Sequence, residues 1–388
     1  MGLSPVKQRK IAVLTGARAT YGYNRRIMRL IHESDDLELA VIVTGMHLLK
    51  EYGLTVQEVA REGLPIAARA DMILGGDTPT AWAKSLGVCV QSLAQVFDMI
   101  QPDMLLVTGD RGEMLAATMT AAYMNIPVAH LQSGDLSGHI DGTARHAITK
   151  LCHIHFPACE DSAKRVERMG EESWRIFNVG APQLDEVIHG PRIDPSSLAQ
   201  RLELNLEEPI LIVLQHPVLS EMSQTSEQMI ETMEAIGKVG LQTVVIYPNV
   251  DAAGQEIIDG IRQYEHLPFV RSFRNLERQV FISLMAITSV IVGNSSCGIL
   301  EAPSFKLAAV NIGSRQRGRM QASNVINVSY DRGQIADGIR MALWDEGFRA
   351  RLQHCVNPYG DGKSSERVVK ILSEIPIDQR LLDKQMTY

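Results

Sequence analysis

Short apolar runs alternate with helix-length amphipathic patterns along nearly the whole chain. This alternation limits the fold more than any other feature. Lys10–Thr15, Leu39–Thr44, Met104–Thr108 and Val128–Leu131 read as strands, and roughly Asn24–His32, Val56–Arg61, Pro79–Ile100 and Met114–Met124 read as helices. Thr78-Pro79 has the form of an N-cap followed by proline at the first helical position. Such alternation predicts a parallel sheet with helices on both faces. It breaks at His189–Ser197, where two prolines, a glycine and polar residues without periodicity read as a linker. It resumes with strands at Ile210–Leu214, Thr243–Tyr247, Val290–Val292 and Ala308–Ile312, and helices at Thr225–Val239, Gln255–Tyr264, Leu276–Met285 and Gln334–Leu343. The expectation is two α/β halves hinged near residue 190, with ligands bound beyond the strands' carboxyl ends and a cleft between the halves.

A chain of 388 residues with 45% apolar and 21% charged residues has an ordinary globular balance and room for two cores. The net charge of −7 argues against nucleic-acid binding as the main function. Cys89, Cys152, Cys159, Cys297 and Cys355 are dispersed and odd in number, which fits reduced thiols in a cytoplasm. No apolar run approaches a membrane span, and Ile11–Leu14 is too short for a signal-peptide core. His153 and His155 alternate like a metal pair but lack a third ligand at useful spacing, so no metal is expected.

The chemistry-bearing residues sit where strands end. Gly109-Asp110-Arg111-Gly112-Glu113 follows one strand, and Gly293-Asn294-Ser295-Ser296-Cys297-Gly298 follows another. The first places charges at a strand's carboxyl end. The second places small residues and backbone N–H groups where a helix begins, a position suited to phosphate. Charge also segregates. The first half offers the carboxylates Asp110, Glu113, Asp135 and Asp141; the second offers the donors His216, Ser295, Ser296, Arg315 and Arg319. A diphosphate needs charge-assisted donors, and proton transfer at a sugar carbon needs a positioned carboxylate or imidazole. The pattern points to a nucleotide-sugar enzyme whose second half anchors the nucleotide and whose first half processes the sugar. Each residue also has a plainer reading: Asp110 as an N-cap, Ser295 and Ser296 as caps of a helix starting near Ile299, Arg18 as a solvated loop charge.

Taken in order, these loops resemble the UDP-N-acetylglucosamine 2-epimerase family, and more closely its hydrolysing branch. The resemblance runs from Gly16-Ala17-Arg18-Ala19-Thr20-Tyr21-Gly22 to Asn357-Pro358-Tyr359-Gly360-Asp361-Gly362. Between them lie Thr44-Gly45-Met46-His47, Gly109-Asp110-Arg111, the run from Ile140-Asp141 to Arg145 and Lys150, Gln215-His216-Pro217, Tyr247-Pro248-Asn249, Gly293-Asn294-Ser295-Ser296 and Ser314-Arg315-Gln316. The resemblance implies a GT-B-like fold of two Rossmann-like domains with parallel sheets facing a central cleft. Residues 1–189, completed by the C-terminal helix 365–388, would form the first domain and 198–364 the second. It also implies a homodimer, no cofactor, and no nucleic-acid or membrane partner.

The implied reaction has two steps. The C2 proton is removed and UDP is expelled from C1 by anti elimination, leaving a 2-acetamidoglycal. Water then adds with the opposite configuration at C2, and free N-acetylmannosamine leaves. The same scaffold would serve a UDP- or GDP-linked 2,4-diacetamido-2,4,6-trideoxyhexose, as in legionaminic acid synthesis. Because C2–H is acidic only as the C1–O bond breaks, stabilising the departing diphosphate matters as much as the base. The resemblance gives that role to Arg18, His216, Ser295, Ser296 and Arg315, with His216 also counted as catalytic. Asp110, Glu113, Asp135 and Asp141 are the proton-transfer candidates. Glu301 matches a ribose-binding acid, Asn249 lies near the nucleotide, and His47, Arg111, Gln132 and Arg145 are substrate contacts. Some relatives carry Glu at Gln132 and an acid at Thr20; an amide is no base at neutral pH, so either Asp135 takes that role or the position is only a sugar contact. Other classes sharing the fold are a GT-B glycosyltransferase and a non-catalytic nucleotide-sugar sensor.

Overall fold

A computed structural model describes residues 8–50, 53–74, 78–136, 139–248 and 254–387. The chain divides into two compact units, Met1–Glu186 with Tyr359–Tyr388, and Val187–Pro358. Unit 1 carries β1 (Arg9–Thr15), β2 (Leu37–Thr44), β3 (Ile66–Ala70), β4 (Met104–Thr108), β5 (Val128–Leu131) and β6 (Ile154–Phe156) in the order β3-β2-β1-β4-β5-β6. Unit 2 carries β7 (Leu211–Leu214), β8 (Thr243–Ile246), β9 (Val270–Phe273), β10 (Val290–Gly293), β11 (Ala308–Ile312) and β12 (Val325–Val328) in the order β12-β11-β10-β7-β8-β9. All the pairings are parallel. The two orders are the same Rossmann-like topology. In each, the strand order reverses between the unit's first and fourth strands, where doubly wound sheets bind ligands.

The central strands are continuous apolar runs because helices cover both faces. Alternate side chains of β1 enter opposite cores, Ile11 and Val13 on one face, Ala12 and Leu14 on the other. In β7, Leu211 and Val213 face one core and Ile212 the other. The helix Ser364–Glu374 returns to unit 1, where Val368 and Leu372 join the same core as Ile27 and Ile31. Its start is held by Asp185, whose carboxylate accepts the N–H groups of Ser364 (3.0 Å) and Ser365 (2.6 Å). The unit 1 helices that bear on the site are α1 (Arg18–His32), α2 (Val56–Arg61), α3 (Pro79–Ile100), α4 (Gly112–Tyr123), α5 (His139–Leu151) and α6 (Glu160–Arg168). Among the described residues no helix is long and apolar enough to cross a membrane.

Three local expectations are corrected. The first helix starts at Arg18 rather than near Asn24, so most of the Gly16–Gly22 loop is helical. Thr20 explains this: its hydroxyl accepts the Ala17 N–H (3.1 Å) and donates to the Ala17 carbonyl (2.8 Å), closing the first turn. The His189–Ser197 segment is not all linker. Asp194 accepts the Ser197 N–H at 3.0 Å and caps a helix from Pro195 to Leu202. Finally, β3, β6, β9 and β12 lie outside the expected strands, and they are the four sheet edges.

Candidate functional site

At the switch point of unit 1, β4 is followed by Gly109, whose φ of +81° turns the chain sharply into Asp110. Asp110 meets the guanidinium of Arg145, which is nearly buried and reaches it from α5. The same guanidinium donates to the Gln132 carbonyl at 2.7 Å. One cation therefore ties together the loops after β4 and β5. Gln132 has φ +59°, a left-handed conformation that a non-glycine residue holds only when its surroundings impose it. Behind Gly109 lies His130, fully buried. Its Nε2 donates to the Gly109 carbonyl (2.7 Å) and its Nδ1 faces the Thr149 hydroxyl (3.2 Å). Burial, only partly offset by the Gly109 contact, pushes the imidazole down to about 3, so it is neutral at pH 7.

The other carboxylates sit differently. Asp141 is exposed in the first turn of α5, one turn before Arg145 and on the same helix face. Glu113 is buried beneath the β1 loop, paired with Arg111 Nε at 2.6 Å, and a Cβ on Gly16 would collide with its carboxylate. Asp135 accepts the Ser162 hydroxyl at 2.6 Å, and the neighbouring Gly134 carbonyl accepts Arg165 at 2.6 Å, so α6 fixes that loop. His47 is fully buried, with its ring nitrogens engaged by Thr15 (2.9 Å) and Thr55 (2.6 Å); burial pushes it down to about 4. Arg18 is exposed and pairs with Glu58 of α2 at 2.9 Å. The structure thus joins Asp110, Arg145 and Gln132, and separately Arg111 and Glu113. His47 is held instead by Thr15 and Thr55, and Arg18 by Glu58.

At the switch point of unit 2, Asn294 is the organising residue. Fully buried, it accepts the His216 N–H (2.7 Å) and donates to the His216 carbonyl (2.8 Å), clamping the loop after β10 to the loop after β7. Its own carbonyl accepts Gln316 Nε2 (2.8 Å) and Arg315 Nη1 (3.2 Å). Gly293 precedes it with φ +131°, and a Cβ there would strike the Leu214 carbonyl, so only glycine lets β10 approach β7 this closely. His216 is buried, and its Nδ1 has no hydrogen-bond partner among the described residues. Burial and then Arg315 push its imidazole down to about 4. Ser295 Oγ accepts the Cys297 thiol at 3.1 Å, and Ser296 stands at the helix start without a side-chain cap bond. That helix spans only Cys297–Leu300, two residues earlier than the expected start near Ile299. A one-turn helix has little macrodipole, so anion attraction here falls to the side-chain cations and individual N–H groups. Glu301 follows it and pairs with Arg278 at 2.7 Å. Asn249 lies outside the described residues.

Residues 29–373 match the model of the UDP-N-acetylglucosamine 2-epimerase family. The chain belongs to this family. Over 380 residues it is 40% identical to a UDP-N,N′-diacetylbacillosamine 2-epimerase (hydrolyzing) of Legionella pneumophila, covering 98% of this chain and 100% of that one. Over 334 residues it is 32% identical to a UDP-N-acetylglucosamine 2-epimerase of Neisseria meningitidis, covering 86% and 87%. A solved structure of UDP-GlcNAc 2-epimerase from Neisseria meningitidis bound to UDP-GlcNAc superposes with a TM-score of 0.81 at 17% identity, covering 94% of this chain and 100% of that one. That likeness establishes the shared GT-B-like fold.

In this member of the family several supporting residues escape a reading of the sequence. Asn294 is visible as part of a motif, but its partner His216 lies 78 positions away. Ser162 gave no signal, since it looks like an ordinary polar residue until the fold places it behind a loop, and Gln316, though part of a quoted motif, showed no sign of its bond to the Asn294 carbonyl. His153 and His155 have structural partners: His153 Nδ1 accepts the Val128 N–H (3.1 Å), and His155 Nε2 meets Glu171 (3.0 Å).

Proposed function

We propose that the protein is a hydrolysing nucleotide-sugar 2-epimerase that converts a UDP-linked 2-acetamido sugar into UDP and the free sugar inverted at C2. The observation that carries the assignment of the sugar chemistry is the Asp110–Arg145 pair at the switch point of unit 1, with Asp141 one turn before Arg145 on α5. Arg145 holds the Asp110 carboxylate in one orientation, as an acid–base group requires. Asp110 or Asp141 takes the C2 proton as the C1–O bond breaks and UDP carries away the bonding electrons. The glycal then gains hydroxide at C1 and a proton at C2 on the opposite face. Net, one water is consumed and no cofactor is required. Glu113 serves by orienting Arg111, and Asp135 by fixing the loop that Ser162 holds. His216, Ser295, Ser296 and Arg315 receive the diphosphate, Glu301 the ribose. A neutral His216 with an unpartnered Nδ1 suits hydrogen bonding to phosphate better than charge pairing.

For the sugar, the Legionella relative, matched along its whole length at 40% identity, favours UDP-N,N′-diacetylbacillosamine, a 2,4-diacetamido-2,4,6-trideoxyhexose. The second reading is UDP-N-acetylglucosamine, favoured by the Neisseria relative at 32% identity. Side-by-side UDP-release assays decide between them: the first reading expects the higher kcat/KM with the diacetamido sugar, and the reverse ranking overturns it. A homodimer belongs to the same proposal. Exposed Trp82, Met119 and Tyr123 on the adjoining helices α3 and α4 support it, and sedimentation velocity tests it. A cytoplasmic location is supported by five buried cysteines, none in a disulfide.

A further inference from the structure

The last residues of the chain end against the helix that carries Arg145. Arg175, whose side chain is fully buried, donates to the carbonyls of Arg380 and Leu381, each at 2.8 Å. The Trp174 ring lies within cation–π distance of both Arg175 (4.2 Å) and Arg380 (4.4 Å). The Thr387 N–H reaches the Gly170 carbonyl at 3.1 Å. Between these anchors Lys384 turns inward. Its ammonium donates to the carbonyls of Lys150 (2.6 Å) and Cys152 (2.8 Å) and meets Glu171 at 2.6 Å, with the Thr149 carbonyl at 3.3 Å. Three donors find three close acceptors, two of them carbonyls at the carboxyl end of α5 that the helix itself leaves unpaired. A cation is also the charge that end of a helix attracts. Glu171 is fixed in turn by Lys150 and His155, each at 3.0 Å.

The capped turn is the one that touches the site. Thr149 bonds His130, and His130 bonds the Gly109 carbonyl next to Asp110. One turn earlier, Arg145 holds Asp110 and the Gln132 carbonyl. We infer that Lys384 is a positioning residue for the Asp110–Arg145 pair, acting through the carboxyl-terminal turn of α5; its kinetic consequence rests on the reaction proposed above. Lys384 touches none of the groups assigned to substrate. It sets the height and rotation of the helix from which Arg145 and Asp141 project. A displacement of about 1 Å at such a helix costs on the order of 100-fold in rate while leaving remote binding contacts in place.

The test uses the full-length chain with Lys384→Met, Lys384→Arg, Thr149→Val and the Lys384→Met/Thr149→Val double variant. Lys384→Met is expected to lower kcat by about 10- to 100-fold, with KM and the dissociation constant for UDP within about twofold of wild type. Lys384→Arg, which keeps a cation and several donors, should recover most of the loss. Thr149→Val should lower kcat in the same direction, and the double variant should be far less than additive because both act through one turn. Hydrogen exchange should rise in Lys384→Met both at 145–152 and at 109–113. Unchanged kcat in Lys384→Met overturns the inference. So does a joint loss of kcat, KM and thermal stability that Lys384→Arg fails to rescue, or an exchange increase confined to 375–387. If Lys384→Met does not fold, Thr149→Val alone decides the relay by its kcat. If the wild type turns over no UDP-linked 2-acetamido sugar, the proposed reaction fails, and the exchange comparison still decides the positioning.

Discussion

Replacing Asn294 with alanine isolates the clamp in unit 2, the unit proposed to hold the nucleotide. The side chain is fully buried and makes two hydrogen bonds to one residue, accepting the His216 N–H at 2.7 Å and donating to the His216 carbonyl at 2.8 Å. Truncation leaves a buried donor and a buried acceptor unpaired, each costing about 1–3 kcal/mol. Because the two loops relax partly, the net loss is expected at about 2–4 kcal/mol. With a urea dependence of about 2–3 kcal/mol per molar, the midpoint falls by about 1 M. Two units need not unfold together, so the transition is read from exchange of the β7 and β10 peptides as well as from circular dichroism. The comparison variant is Gln316→Ala, which removes one bond to the Asn294 carbonyl and should cost about 1 kcal/mol. Calorimetry should show UDP binding weakened about 10- to 100-fold in Asn294→Ala, since His216 loses its place. A stability loss no larger than that of Gln316→Ala, with unchanged UDP affinity, refutes the reasoning.

Other perturbations separate the two halves. Asp110→Asn should keep UDP affinity by calorimetry while kcat falls about 10²- to 10⁴-fold, because it removes an acid–base group and no phosphate contact; equal losses of affinity and turnover would contradict that role. Arg315→Ala should weaken UDP binding by about 1.5–3 kcal/mol if its guanidinium meets the diphosphate, and an unchanged dissociation constant would remove it from the site. His47, His130 and His216 lie at about 4, 3 and 4 in the folded protein, against about 6.5 when unfolded. Below pH 6.5 the unfolded chain therefore binds protons that the folded chain refuses. Stability is fully present above that pH and falls as pH drops toward 4, by about 1.4 kcal/mol per pH unit for each histidine. Urea midpoints from pH 8 to 4.5 check this, and a flat profile between 7 and 5 would contradict it.

What the sequence displayed was the buried interior of each sheet. Met104–Thr108, Val128–Leu131 and Ala308–Ile312 are strands to the residue, because a strand covered on both faces must be apolar throughout. The four strands that stayed hidden are edges. Of these, β3, β9 and β12 are half-exposed and carry Arg69, Arg271 and Asn327, and β6 is only three residues long. The site was legible in the same partial way. Motif residues after central strands stand out, since loops at those ends are short and polar. Their partners do not, because Asp110 and Arg145 are 35 positions apart and only the β4–β5–α5 path closes that distance. Burial was also invisible: nothing in the sequence shows that Glu113 and His47 are buried, the first paired with Arg111 and the second held between Thr15 and Thr55.

The most direct test of the central claim is proton NMR of the wild-type protein in D2O with UDP-N,N′-diacetylbacillosamine and, separately, UDP-N-acetylglucosamine. The account predicts release of UDP together with a free sugar inverted at C2 and carrying one deuterium there. Inversion without release of UDP, or release of UDP with the C2 proton retained, would contradict elimination followed by hydration.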